Sequence, residues 1–277
     1  MVEATVIGRL RGLLRRSEAV TSMWDERATA DVNFNSVISP GDRSGLKAAY
    51  VDLIDQRLLA AELTALAPGA KVLDFGCGVG RLACWSLFDR LQYFGVDRSQ
   101  KMIDGAKRHT GERPARLFAH YDGDRLPFDD GTFDCVIAIW VIQHIVDEQS
   151  LARTARELDR VSRPGGKIIL IEQVSEEQID EALPSGEIYK RHRPASALSE
   201  AFGSRSGPAW LRKTDGFVMH GPFYRGLALL GRLPIAGLRK LVPSFVALDD
   251  AWYRATGGLR LPSQRWLDQG LMIVKGR

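Results

Sequence analysis

Between residues 71 and 173, short apolar runs alternate with amphipathic stretches. The runs KVLDFG, YFGVD, ARLFAHYD, FDCVIAIWV and KIILIEQ are rich in Val, Ile, Phe and Tyr, side chains that suit a pleated, buried surface. Between them, apolar residues at helical spacing predict helices from Arg81, from Ser99 to Lys107 and from Asp147 to Val161, with the turn RPGG ahead of the last run. Strands alternating with helices predict a parallel sheet covered on both faces. Further on, FVMH and GLMIVKGR read as a sixth and a seventh strand, and GEIYKRHRPASALSEAFG as a loop feeding a helix. The expected class is α/β: a doubly wound, seven-stranded sheet, mostly parallel with an antiparallel last strand, plus a helical cap.

The cap is expected from two places. Near the start, Arg9, Arg11, Arg15 and Arg16 alternate with Leu10, Leu13 and Leu14 as on an amphipathic helix, and SMWDERATADVNFNSVISPGDRSG reads as a loop. A helix from Leu46 to Leu66 is predicted to stop at Pro68 and Gly69. Near the end, YRGLALLGRLPIAGLRKLVPSFVALDDAWYRA predicts two or three short helices interrupted at Pro234 and Pro243. These readings divide the chain into a helical cap or lid over 1–66 and a binding domain over 67–277 with a cap insertion at about 221–265. Leucines beside Arg232, Arg239 and Lys240 leave peripheral membrane contact as the less favoured use of that insertion.

Composition narrows the function. A chain of 277 residues suits one α/β core with a modest cap. A net charge of +4, with no basic stripe interleaved with aromatics, does not point to nucleic acid. The three cysteines have no metal-ligand spacing and are expected as reduced thiols of a cytoplasmic protein; no metal site is expected. The longest uncharged run, Cys135 to Val146, is too short to cross a bilayer, and the basic residues scattered through the first segment do not make a secretory leader.

Candidate chemistry begins at DFGCGVG, where Asp74 precedes Gly76, Gly78 and Gly80. A dinucleotide fingerprint would place its third glycine at 81, where this chain has Arg81. A strand-end carboxylate aimed into the crevice repels a pyrophosphate at short range and favours a ligand carrying an ammonium and a sulfonium. S-adenosylmethionine is such a ligand. Asp97 ends the second strand, where a carboxylate accepts both hydroxyls of a ribose, and Ser99 caps the next helix. Asp122 and the Gly123 backbone follow the third strand and are placed to hydrogen-bond an adenine edge.

With these residues in place, the chain resembles the class I S-adenosylmethionine-dependent methyltransferases, in particular their small-molecule type 11 group. The resemblance rests on VLDFGCGVGRLA, GVDRSQKMIDGAK, DGDRLPFDDGTFDCVIAIWVIQHI and RELDRVSRPGGKIILIE, in the family's order from Lys71 to Glu172. It implies a Rossmann-like fold in which Gly76, Cys77 and Gly78 line the methionine part and Asp74 holds its amino group. It further implies that Asp97 takes the ribose, Arg98 and Met102 flank the adenine, Asp122 and Gly123 read its edge, and Ile139 and Trp140 close the methionine side. By residue type alone, Trp140 is equally a core residue and Met102 a helix-packing one.

Methyl transfer is an in-line displacement whose main requirement is alignment of nucleophile and methyl group. An oxygen acceptor gains from a general base, and the candidates are His144 and Glu172. Gln143, at the position that faces substrate in the resembling family, cannot take a proton. The resemblance puts the acceptor wall at Tyr189, His192 and Arg193, where Arg193 with Lys190 and Arg191 would favour an anionic substrate; a solvated basic loop is the alternative. The expected function is methylation of a small molecule, with oxygen as acceptor on a sugar, a lipid-linked compound or a secondary metabolite. The alternatives are a nitrogen or carbon acceptor, a non-catalytic module that keeps the cofactor fold, and a nicotinamide-dependent dehydrogenase, which Asp74 and the missing third glycine oppose.

Overall fold

The computed structural model describes residues 20–28, 42, 44–111, 116–203, 210–213, 221–230, 236–256 and 269–274. Helix α1 covers residues 20–28 and α2 Leu46–Thr64. Then follow β1 (Lys71–Phe75), β2 (Gln92–Asp97), α3 (Gln100–Thr110), β3 (Arg116–His120), β4 (Phe133–Ile139), α4 (Glu148–Val161) and β5 (Ser162–Val174). The chain continues with β6 (Ile179–Ala182), β7 (Ile188–His192), α5 (Ala195–Gly203), β8 (Trp210–Lys213), α6 (Pro222–Leu230), α7 (Val242–Ala255) and β9 (Gln269–Val274).

The main sheet has the order β3-β2-β1-β4-β5-β9-β8, with β1 to β5 parallel and β9 antiparallel to both β5 and β8. It is a Rossmann-like sheet. Period-two alternation divides each central strand between two cores. Leu73, Val136, Ala138 and Leu170 face α4 through Leu151, Leu158 and Val161. Val72, Cys135, Ile137 and Ile169 face the other way, onto Leu59 and Leu63 of α2. Helices α3 and α4 start where sequence chemistry places them: Ser99 and Asp147 accept the N–H groups of Met102 and Ser150.

A third core joins the two cap regions. Leu46, Tyr50, Val51 and Ile54 of α2 pack on Leu227 of α6 and on Val242 and Val246 of α7. Asp249 of α7 fixes this arrangement. Its carboxylate accepts the Tyr50 hydroxyl and the N–H groups of Phe223 and Tyr224, each at 2.9 to 3.0 Å. No helix among the described residues is long and apolar enough to cross a membrane.

Four local expectations change. The helix from Arg81 is instead two short 3₁₀ turns, Leu82–Cys84 and Ser86–Phe88, separated by an extended Trp85 whose indole N–H reaches Asp52 at 3.1 Å. The loop before α5 is a β-hairpin of β6 and β7, closed by ion pairs between its strands. Ser22 to Ala28, read as loop, belong to α1. Pro243 sits at the start of α7, where its missing N–H has no helical partner to lose, so it opens the helix rather than interrupting one. The expected sixth strand at FVMH, the basic helix around Arg9 to Arg16 and Pro234 lie outside the described residues, and the strand beside β9 is β8.

Candidate functional site

Strand order reverses at β1, which has β2 on one side and β4 on the other. That reversal opens a crevice beyond the carboxyl ends of the strands. Here the crevice is a cavity of about 710 Å³, the size of a small-molecule site. Asp74, Gly76, Cys77, Gly78, Asp97, Arg98, Met102, Asp122, Gly123, Ile139 and Trp140 all line it.

Asp74, near the end of β1, is only 2% exposed. The Tyr93 hydroxyl donates to its Oδ2, and burial pushes its pKa up to about 6 against the pull of that bond and of Arg81. Asp97, at the end of β2, accepts the Gly78 N–H at Oδ2 and the Ser99 N–H at Oδ1, both at 2.9 Å. Burial raises its pKa too, while those backbone bonds hold it down. Each carboxylate oxygen keeps further lone-pair capacity. The glycine loop is held close: Gly76 has φ +73°, and a Cβ there would lie 2.3 Å from a Val141 methyl carbon. Burial keeps Cys77 a neutral thiol.

Arg81, the residue that breaks the dinucleotide pattern, is buried and ties the glycine loop to α2. Its guanidinium pairs with Asp52 at 2.6 Å and with the fully buried Asp55 at 2.9 Å. Asp55 in turn accepts the Trp140 indole N–H at 3.1 Å. Trp140 has φ +60°, a backbone conformation bulky residues rarely adopt. The backbone is held on both sides. The Trp140 N–H donates to the Ile171 carbonyl at 2.8 Å, and the next three N–H groups converge on Glu172 at 2.8, 2.6 and 3.3 Å.

That geometry corrects one candidate base. Glu172 is 1% exposed, does not line the cavity and is occupied by the backbone of Val141, Ile142 and Gln143, although burial pushes its pKa up to about 7. It supports the cavity wall from behind. His144 does line the cavity. Its Nδ1 lies 3.0 Å from the Tyr189 carbonyl, which only accepts, so Nδ1 carries the proton and Nε2 the lone pair. Burial pulls its pKa down to about 4, so the ring is neutral at pH 7. Trp24 meets this ring edge-on at 5.1 Å, and Tyr189 stacks at 6.2 Å.

Gln143 and Tyr189 line the cavity as expected. Gln143 donates to the Trp140 carbonyl at 3.2 Å, and its buried Oε1 has no partner among the described residues; Tyr189 donates to Glu181 at 2.7 Å. His192 and Arg193 do not line it. The register of the hairpin explains the difference, since it sets Asp180 opposite Arg191 and Glu181 opposite Lys190. Arg191 pairs with Asp180 at 2.7 Å and His192 with Glu181 at 2.9 Å. Arg193 pairs with Glu148 at 2.8 Å and donates to the Ile145 carbonyl at 2.7 Å, which secures the loop ahead of α4.

The structure also brings in residues that the motifs do not mark. Trp24 and Arg27 of α1, Lys47 and Val51 of α2, and Tyr224 of α6 complete the wall. The first two lie in a segment with no apolar period, and the others meet only because α2 packs on the late helices. Among the described residues, no three His, Cys, Asp or Glu side chains are grouped to hold a metal ion.

The chain is similar to known methyltransferases. A family model described as "Methyltransferase domain", of the type 11 group, matches residues 73–170. An uncharacterised protein of transposon Tn4556 from Streptomyces fradiae is 31% identical over 96% of this chain and 71% of its own length. A demethylmenaquinone methyltransferase of Clavibacter sepedonicus is 28% identical over 58% of this chain and 60% of its own. The chain spans about half the length of the demethylmenaquinone methyltransferases it matches. Among solved structures, a SAM-dependent methyltransferase of Leishmania major superposes with a TM-score of 0.54 over 71% of this chain and 75% of that one, at 15% identity, a likeness of fold.

Proposed function

Because this chain belongs to the S-adenosylmethionine-dependent methyltransferases with a type 11 domain, we propose that it methylates a hydroxyl group of a small molecule in the cavity at the strand ends, with His144 as the base. The bound cofactor supplies an already activated methyl group on a sulfonium centre. The residues present fit it. The buried Asp74 carboxylate and the half-buried Asp97 carboxylate face a cavity floored by a loop too tight for a Cβ at Gly76.

In this reading Asp74 holds the cofactor's ammonium group and Asp97 its ribose hydroxyls, the latter on lone pairs left free by Gly78 and Ser99. Arg98 and Met102 flank the adenine, Asp122 and Gly123 meet its edge, and Gly76, Cys77, Gly78, Ile139 and Trp140 surround the methionine part. Trp24 and Tyr189 help exclude water from the acceptor end. Nε2 of His144 accepts the proton of the acceptor hydroxyl as the oxygen attacks. The observation that carries this role is the Nδ1 contact to the Tyr189 carbonyl, which fixes the tautomer with its lone pair on Nε2. Gln143, beside it, orients the acceptor through the Oε1 that has no partner among the described residues.

The test is His144→Gln, read as S-adenosylhomocysteine release with a panel of hydroxylated small molecules. General-base loss is expected to lower kcat by about 10²–10⁴-fold while calorimetry finds S-adenosylhomocysteine affinity unchanged. A variant that keeps kcat within about threefold refutes the role of His144.

A further inference from the structure

The cavity is lined by charges of both signs. Asp74 and Asp97 lie at the strand tips, whereas Arg27 of α1 and Lys47 of α2 line the wall contributed by the cap. Both cations are half-buried, and among the described residues neither has a carboxylate partner. Each rests on an aromatic ring instead. The Arg27 Cζ lies 4.6 Å from the Trp24 ring centroid, and the Lys47 Nζ 5.7 Å from that of Tyr224.

Three other cations in this part of the chain are matched. Arg81 has Asp52 and Asp55, Arg193 has Glu148, and Lys190, which also lines the cavity, has Glu181 at 3.3 Å. Arg153 lines the cavity too, but it is exposed to water and donates to Ser150. Nearby Asp147 is occupied in capping α4 through the Ser150 N–H at 2.7 Å. Loss of water lowers the Arg27 pKa, against a smaller opposing pull from Tyr189. A cation drawn from water without a counter-charge is unfavourable unless a ligand supplies one. The rings beside these cations suit a planar partner, since aromatic faces stack and accept cations together.

We propose that the methyl acceptor is a ring-bearing molecule carrying a carboxylate or phosphate group, with the anion held by Arg27 and Lys47 and the ring packed among Trp24, Tyr189 and Tyr224. This rests on the reading of the cavity as a methyl-transfer site, and it replaces Arg191 and Arg193, which are held in ion pairs outside the cavity lining, as the source of anion selectivity.

Calorimetry on the full chain, with and without S-adenosylhomocysteine, tests it using hydroxybenzoate, hydroxyphenyl phosphate and neutral hydroxybenzamide as probes. At least one anionic probe is expected to bind about tenfold or more tighter than the amide, and comparison of the two anions tells carboxylate from phosphate. Lys47→Met and Arg27→Met should each remove most of that preference, and Lys47→Arg and Arg27→Lys should keep it. Equal binding of anions and amide, or a preference that survives both Met variants, overturns the proposal. If the anion preference is present but S-adenosylhomocysteine does not bind, the methyl-transfer reading falls and the anion site stands.

Discussion

Replacing Arg81 by methionine isolates the physics that joins the glycine loop to the cap. The side chain is 9% exposed and pairs with Asp55 at 0% and Asp52 at 27%, so the two bonds differ in weight. Removing one partner of a buried pair costs about 3–5 kcal/mol, whereas a half-solvated pair contributes less than about 1 kcal/mol. The lower end applies here, because Asp55 has an alternative to remaining charged. Burial already raises its pKa to about 6, and without Arg81 it takes up a proton near neutral pH. A loss of about 3 kcal/mol is therefore expected at pH 8, equivalent to about 6–12 °C in Tm. The sign of the pH effect follows from linkage. A carboxyl with a folded pKa above its unfolded value favours the native state as pH falls, so the deficit should shrink between pH 8 and pH 5.5. Asp55→Asn in the Arg81→Met background should recover most of the loss, because it removes the stranded charge and keeps an acceptor for Trp140. Urea unfolding of the three proteins at both pH values is the assay. An Arg81→Met deficit below about 1 kcal/mol at pH 8, or one that does not narrow when Asp55 is neutralised, refutes the reasoning.

Two further perturbations probe the cofactor end. Asp74 must be ionised to hold an ammonium group, and with its pKa raised to about 6 the affinity for S-adenosylhomocysteine should fall as pH drops below that value, by up to about tenfold per unit. In Asp74→Asn the affinity should be lower and flatter from pH 5 to pH 8; calorimetry giving parallel curves for the two proteins would exclude Asp74 as the titrating group. Gly76→Ala meets both a positive φ and a Val141 methyl carbon at 2.3 Å, whereas Gly69→Ala meets only the positive φ, with nothing within 4 Å. The first should cost about 1–3 kcal/mol and more than tenfold in cofactor affinity, the second about 1 kcal/mol and no affinity. Equal effects at the two positions, by denaturation and calorimetry, would mean that the loop is not closely packed.

The sequence by itself determined the parallel sheet, its capped helices and the residues that line the cavity at the strand ends. Those features are local: period-two and helical spacing mark the elements, Ser99 and Asp147 cap their own helices, and Asp74, Gly76, Gly78 and Asp97 sit at strand ends that topology brings together in any doubly wound sheet. What tertiary structure decided is which charged groups face the cavity. Glu172 lies near the end of its strand as a catalytic base would, yet the turn at Trp140 presents three N–H groups that occupy it. Arg191, His192 and Arg193 look like an acceptor wall until the hairpin register supplies Asp180 and Glu181, and the loop ahead of α4 supplies Glu148. Lys47 and Tyr224 lie far apart in the chain and share a wall only because α2 packs on α6 and α7. Electrostatic roles depend on partners at any sequence separation, and burial sets how strongly each pair counts, so charge selectivity is a property of packing while the strand-end motif is a property of order along the chain.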